Sequence, residues 1–529
     1  MYYVIGSGPA SISAAVALTD RGLPVTILDA GRTLEPERQN IIRQLSRLPP
    51  EQWSPSDLET LRGGDQKARQ GSIHVKLTYG SDYPYSDPDQ PLQEATEESP
   101  FHYSMARGGL SNVWGASILP NRAADISDWP IRLEDLEPHY RAVLGFMPST
   151  SVADDLASLL PTYTDGGKPL NPSRQAAAFL DDLGKARDSL QKARIHFGRS
   201  RLAVVANGEA ERSGCVYCGR CLYGCPYELI YSTASTLRRL LDEKKVIYLD
   251  RIVVEKLVPS AGGVTISARD LRRNETVTFD GERAFVGAGV LPTAWIALNS
   301  LGAFDEPIEM LDSQYFIYPF FRARRTPGVE TESLHSLAQA FLEIDDPAIS
   351  RHLVPLEIFS YSDFLKRALL ETPLRFFLRN PWIADQMFGR LLVVQGFLHS
   401  DDSGRLRVTL RKDASGQPRL RVEPQPSARA RWASVKAGLK LAANGWALRG
   451  LPVVPALQFA EPGRSYHSGG TFPMRAQPGR FETDTLGQPT GLERVHLIDA
   501  SVLPSIPATT ITLSVMANAH RIAARVAEL

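Results

Sequence analysis

Apolar and polar positions divide the chain into regions of different period. Tyr2–Ile5 is a short apolar run, followed by Gly6-Ser-Gly8-Pro-Ala-Ser11 and then by small and apolar residues at helical spacing from Ile12 to Leu18. Gly22 closes that helix, and Val25–Leu28 is a second apolar run ending at Asp29. Residues 40–95 lose the periodicity: they are polar, with Pro49-Pro50, Gly63-Gly64 and a Ser/Asp/Pro-rich run from Ser81 to Pro91, as expected of an excursion or lid with little core of its own. Helical spacing returns at 133–140 and 173–193. Strand-like patterns mark 314–322, 391–397, 406–410 and 420–422, with a turn at Asp402 to Gly404, and are expected to share an antiparallel sheet. Between them, 364–370, 374–382 and Met387-Phe388 combine basic and aromatic residues, which suits either a cover over that sheet or a peripheral contact with a membrane. In the last helix Pro507 pre-sets a start, Thr509 and Thr510 are candidate caps, and Ile511, Leu513, Val515, Met516, Ala519 and Ile522 form the buried face.

A chain of 529 residues exceeds the ~250 that one core normally serves, so two domains or one with insertions are expected. Its 59 basic and 59 acidic residues cancel, which leaves no field to recruit nucleic acid. A strand that begins at Tyr2 and the lack of any run near the ~18 apolar residues of a membrane span make a cytoplasmic protein the expectation, possibly peripheral to the inner face of the membrane through 364–388.

The N-terminal pattern carries chemistry. Gly6 permits a tight turn, Gly8 lets backbone approach a pyrophosphate, Ser11 stands where a third glycine is usual, and the following helix offers unpaired amides to negative charge. Asp29, at the end of the second strand, is placed to accept hydrogen bonds from an adenosine ribose. Strand, turn, helix, strand and acid in this order predict a dinucleotide site, either FAD or NAD.

All four cysteines, Cys215, Cys218, Cys221 and Cys225, fall in one C-x2-C-x2-C-x3-C run followed by Pro226. That spacing wraps an iron-sulfur cluster. Gly214, Gly219 and Gly224 let the backbone curl around a compact object. Four thiolates would hold a 4Fe-4S cluster, the first reading, and three a 3Fe-4S one; a closed zinc site is the fallback, and an empty or disulfide-bonded loop the bland alternative.

The C-terminal block contains Tyr466-His467-Ser-Gly-Gly470-Thr471-Phe-Pro-Met474 and Val495-His-Leu-Ile-Asp499-Ala500-Ser501. Together with Arg107-Gly-Gly109-Leu-Ser-Asn112-Val-Trp114-Gly115, Val286-Gly-Ala-Gly289 and Val253-Val254, it resembles the glucose-methanol-choline (GMC) oxidoreductase family, flavoproteins that mostly oxidise alcohols and sugars, and in particular its members with a cysteine-rich loop. The resemblance implies an α/β fold. A Rossmann-type FAD-binding domain, discontinuous in sequence (1–39, 96–130, 201–310 and 455–529), would carry an α+β substrate domain (131–200 and 311–454) built on an antiparallel sheet. It implies FAD held by the N-terminal motif, by Arg107, Gly109, Asn112 and Trp114 over the flavin, by Val254 on the adenine side, and by Gly289, Asp499, Ala500 and Thr510. It also implies that His467 faces the reactive edge. One departure stands out: Ala508-Thr509-Thr510 occupies the place where the family carries a second histidine or an asparagine, so a threonine hydroxyl is left to bond substrate oxygen.

An imidazole suits the removal of a hydroxyl proton while the neighbouring C–H gives up hydride. The expected activity is therefore an FAD-dependent dehydrogenase oxidising a CH–OH group of an alcohol, sugar or lipid-like substrate by hydride transfer to flavin N5. Electrons would leave through the cluster to an acceptor protein or quinone. The alternatives are a reductase working in the opposite direction on a carbonyl or C=C bond, and a non-catalytic electron-transfer subunit with a structural metal.

Overall fold

The computed structural model describes residues 1–63, 76–85, 92, 103–164, 166–208 and 214–529. Of the polar 40–95 stretch, residues 64–75, 86–91 and 93–95 lie outside these.

A five-stranded parallel sheet has the order Val495–Leu497, Arg283–Val286, Tyr2–Ile5, Val25–Leu28, Val246–Leu249. Its strands are short and almost wholly apolar because both faces are covered. The helix Pro9–Thr19 is apolar on every side and buried from Ala10 to Leu18. It packs against the C-terminal helix Thr512–Val526, where Ser13 donates to the Met516 carbonyl at 2.7 Å. Leu133–Phe146 packs on the other side of that helix, with Tyr140 OH 2.8 Å from Ser514 Oγ. Residues 133–146 therefore belong to the core of the parallel sheet and not to the substrate side, because their apolar stripe matches the last helix.

The substrate side is a seven-stranded antiparallel sheet with Gly450–Pro452, Tyr315–Arg322, Leu391–Phe397, Val354–Phe359, Ala340–Ile344 and Ile195–Arg199 in order, and Gln458–Phe459 paired to Tyr315–Arg322. The expected single sheet is divided. Arg405–Lys412 and Pro418–Gln425 form a hairpin of a separate four-stranded sheet with Pro307–Asp312 and Ser468–Gly469. The turn at Asp402 carries the chain between two sheets instead of closing a hairpin. A three-stranded sheet, Ile252–Ser260, Gly263–Asp270 and Glu275–Gly281, completes the inventory and was not foreseen.

Within 40–63, Leu45, Trp53 and Leu61 make a small core of their own against Cys218 and Tyr227. These residues thus sit over the cysteine loop. No helix among the described residues is long and apolar enough to cross a membrane.

Candidate functional site

Gly6 takes φ +94°, and a Cβ there would lie 2.9 Å from the Gly287 carbonyl oxygen, so only glycine fits the turn. A Cβ on Gly8 would meet nothing within 4 Å: the space over the helix N-terminus is open. Beside it, Gly6, Leu28, Asp29, Val253, Val254 and Trp295 help to line a mainly apolar slot at the C-terminal end of the parallel strands. Asp29 is buried, which pushes its carboxyl up to about 6 against the opposing hydrogen bonds of Ser7 and Tyr248. Both donors reach Oδ2, so Oδ1 has no side-chain donor among the described residues. An apolar slot with a carboxylate at its rim and a glycine turn at its floor fits the adenosine and pyrophosphate of FAD.

Ser7 and Tyr248 were not singled out from sequence. Ser7 Oγ bridges Asp29 and the Gly108 amide (2.9 Å), coupling the glycine turn to the Arg107–Gly115 loop. Tyr248 lies under the Arg107 guanidinium, 4.9 Å from ring centroid to Cζ. Tyr248 is the next-to-last residue of the strand Val246–Leu249, and nothing in its local sequence announces the contact.

Several expected cofactor residues prove to have their polar atoms engaged within the protein. Ser11 Oγ donates to the carbonyls of Ile5 (2.9 Å) and Gly287 (3.0 Å), welding the helix to two strands. Asn112 donates to the Arg107 and Gly109 carbonyls (2.9 and 2.7 Å) and accepts from Ser232, which shapes its own loop. Trp114 Nε1 donates to the Tyr231 carbonyl at 2.7 Å. Asp499 accepts from the Gly289 amide and Thr293 Oγ1 on one oxygen and from the Ser501 amide on the other. The Ala500 carbonyl accepts from the Gly470 amide (2.9 Å), which ties the His467 loop to this turn. These residues build the frame of the site through hydrogen bonds that link distant segments.

His467 is half-buried, its ring stacked on Phe397 at 4.8 Å and 28°. Burial lowers its pKa to about 4, and Nδ1 has no hydrogen-bond partner among the described residues. Its backbone is held at both ends, the amide donating to Ser465 Oγ (3.0 Å) and the carbonyl accepting from the Ser313 amide (2.9 Å). Behind the loop, Asp312 accepts from Ser465 Oγ (2.6 Å), Ser468 Oγ (2.7 Å) and the Gly463 amide (2.9 Å). Asp312 lies some 150 positions away in sequence and was missed; the only hint was the pair of serines flanking Tyr466-His467. Asp312→Ala is expected to destabilise the protein by about 2–4 kcal/mol, because it leaves three buried donors unpaired. Urea denaturation followed by tryptophan fluorescence measures this.

The expected caps are corrected by the structure. The last helix begins at Thr512, its N-cap is Ile511, and no side chain caps it. Thr509 Oγ1 instead lies 3.4 Å from Asn121 Oδ1, and Thr510 Oγ1 is buried without a partner among the described residues. The Ile506–Ser400 bridge, amide to Oγ at 2.9 Å, fastens the approach to this helix beside the Phe397 strand end.

The four cysteines are free thiols lining one pocket with Val204, Leu229 and Leu337. Gly219 (φ +72°) and Gly224 (φ +108°) turn the loop inward. Backbone amides point at the sulfurs: Tyr217 toward Cys215, Arg220 toward Cys218, Tyr227, Leu229 and Ile230 toward Cys225, and Ser336 toward Cys221 at 3.5 Å. Burial pushes the thiols of Cys215 and Cys218 up to about 12. Lys76 donates to the Trp114 carbonyl at 2.8 Å and lies close enough to feel the charge of Cys221, so the pocket adjoins the loop of the dinucleotide site.

Residues 400–519 match the family model described as GMC oxidoreductase. No curated protein matches the sequence significantly. Among solved structures, the crystal structure of pyridoxine 4-oxidase from Mesorbium loti is similar over 99% of this chain and 98% of that one, with a TM-score of 0.59 and 14% identity, a likeness of fold. The segment matched by that model contains His467, Asp499 and Thr510, and the likeness of fold extends over nearly the whole chain.

Proposed function

We propose that this protein is an alcohol dehydrogenase in which His467 holds the hydroxyl proton of the substrate and Cys215, Cys218, Cys221 and Cys225 hold an iron-sulfur cluster. His467 carries the reading. A half-buried imidazole kept neutral, with an unpartnered nitrogen and its backbone fixed on both sides, is a proton acceptor in search of a partner. When bound, FAD supplies the two-electron acceptor. Gly6, Gly8, Asp29 and Val254 would hold it, with Arg107 and Gly109 in the covering loop. Thr510, whose hydroxyl also lacks a partner among the described residues, is the second candidate for substrate oxygen, in the place of the family's second histidine or asparagine.

The base sets a pH dependence. His467 titrates at about 4 in the fold, against 6.5 for a free imidazole. The base is therefore available at neutral pH and is lost as pH falls through 4. An acid limb of kcat/KM near 4 is expected, and a limb near 6.5 would rule His467 out as the group observed.

The overlapping spacing of the four thiols, and the backbone amides that point at them, support a cluster. A cluster would carry electrons singly, which matches a flavin that accepts two and releases them one at a time. Iron and acid-labile sulfide analysis of anaerobically purified protein tests this reading, and zinc in place of iron overturns it.

The similarity to an oxidase favours a second reading, in which oxygen is the electron acceptor and the cysteine pocket is structural. Oxygen consumption matching substrate oxidation would support the second reading. Turnover only with artificial one-electron acceptors would support the first.

A further inference from the structure

At the end of the seven-stranded sheet where Tyr315–Arg322 stops, two exposed aromatic features converge. One is a hairpin of short helices, Asp363–Leu370, Arg375–Leu378 and Pro381–Phe388, anchored from below by Tyr361, Leu378 and Phe388. Its upper side leaves Phe376, Phe377 and Trp382 exposed at 59, 63 and 70%. The other is the turn after Gly445–Leu448, where Trp446 is 83% exposed. Backbone bonds bring them to the same place: Arg322 N donates to the Arg390 carbonyl (3.0 Å) and Ala323 N to the Arg449 carbonyl (2.8 Å).

Glu330, Asp385 and Glu371 are all engaged, and the charge left over on this face has one sign. The guanidinia of Arg375 and Arg379 lie over the Phe376 ring (5.0 and 5.7 Å), and that of Arg449 over Trp446 (4.6 Å). These three, with exposed Arg324, have no carboxylate partner among the described residues. Nearby cations that do have one, Lys366 with Glu330 and Arg325 with Asp385, are already neutralised.

We propose that this face docks on the surface of an anionic phospholipid bilayer, with Phe376, Phe377, Trp382 and Trp446 seated among the acyl chains and the four arginines at the phosphates. Aromatic rings with cations at their rims match the boundary between headgroups and hydrocarbon. A protruding set of knobs suits a soft surface better than a groove-forming partner does. A symmetric contact with a second copy would set the same unpaired arginines against one another. Attachment is peripheral, since no described helix can span. The base of the hairpin touches the cysteine loop, where Phe364 packs edge-on to Tyr223 at 5.7 Å, so docking would carry that pocket to the lipid surface. The proposal depends on neither the cluster nor the direction of electron flow.

Flotation of the FAD-loaded protein with phosphatidylcholine vesicles, with and without phosphatidylglycerol, tests it. Wild type is expected to float with the anionic vesicles and to be released by salt. Phe376→Ala/Phe377→Ala/Trp382→Ala should lower partitioning by about tenfold or more. Arg375→Glu/Arg379→Glu should remove the preference for phosphatidylglycerol. FAD content and turnover with a soluble acceptor, unchanged in both variants, show that they are folded. Wild type remaining in the lipid-free fraction overturns the proposal, as does equal flotation of the variants. A concentration-dependent dimer abolished by the triple aromatic variant would assign the face to a second copy and likewise overturn it.

Discussion

His467→Ala is expected to slow substrate-driven bleaching of the flavin by about 100-fold while leaving FAD bound, the usual worth of a positioned general base. The imidazole stands on a loop whose shape is held by other groups: Asp312 with Ser465 and Ser468, the Ser313 amide on its carbonyl, and the Gly470–Ala500 bond. Removing the ring leaves those bonds in place, so chemistry should be lost and the fold kept. Anaerobic stopped-flow reduction with substrate in excess gives the rate, and the flavin spectrum of the purified variant gives the occupancy. Apoprotein from this variant would make His467 structural and end its assignment as base. His467→Gln, which restores bulk over Phe397 without the basic nitrogen, should be as slow as alanine.

Cys218→Ser should abolish iron and acid-labile sulfide, and with them electron delivery to one-electron acceptors, while substrate still bleaches the flavin. Serine nearly conserves the volume of a side chain that packs against Leu45, Trp53, Leu61 and Tyr227, so the loop should keep its path. The separation of the two half-reactions is the informative result. Flavin reduction by substrate that is preserved while acceptor reduction vanishes places the cysteines on the exit route. Equal loss of both would mark the pocket as a structural support for the Trp114 loop, through Lys76. Unchanged iron in Cys218→Ser and Cys225→Ser would remove the thiols from the ligand set.

The legible parts of the site are those whose chemistry is local. Gly6, Gly8 and Asp29 could be placed from sequence because a left-handed turn, a helix N-terminus and a strand end follow one another within a single segment. The cysteine loop was legible for the same reason: spacing and glycines alone force its sulfurs into one pocket. Ser11, Asn112 and Asp499 were expected to touch the cofactor, but the bonds they make join residues far apart in sequence, to Gly287, Ser232 and Gly289. No periodicity records such partners. Asp312, Ser7 and Tyr248 escaped notice altogether because each acts on a segment remote from its own.

Alternation of side chains identified the strands Leu391–Phe397 and Arg405–Lys412 but could not say which neighbours they choose. Period reports only that one face of a strand is apolar; the neighbour is chosen by which apolar faces meet when the chain closes, and here these two strands joined different sheets. Helical period likewise found the last helix but put its start too early, since Thr509 and Thr510 are buried before the first turn, Thr509 beside Asn121.

By itself, the order of residues determined the glycine turn into the first helix, the cysteine loop and the presence of a histidine in a glycine-rich loop, since each depends on backbone geometry over a few consecutive positions. Tertiary structure decided that burial lowers the pKa of His467 and leaves its Nδ1 without a hydrogen-bond partner among the described residues, that Asp312 shapes its loop, and that Arg390 at the end of the basic and aromatic helices and Arg449 near Trp446 bond to the adjacent residues Arg322 and Ala323. Burial, pairing and exposure are properties of what surrounds a side chain, and those surroundings exist only once segments hundreds of residues apart have packed together.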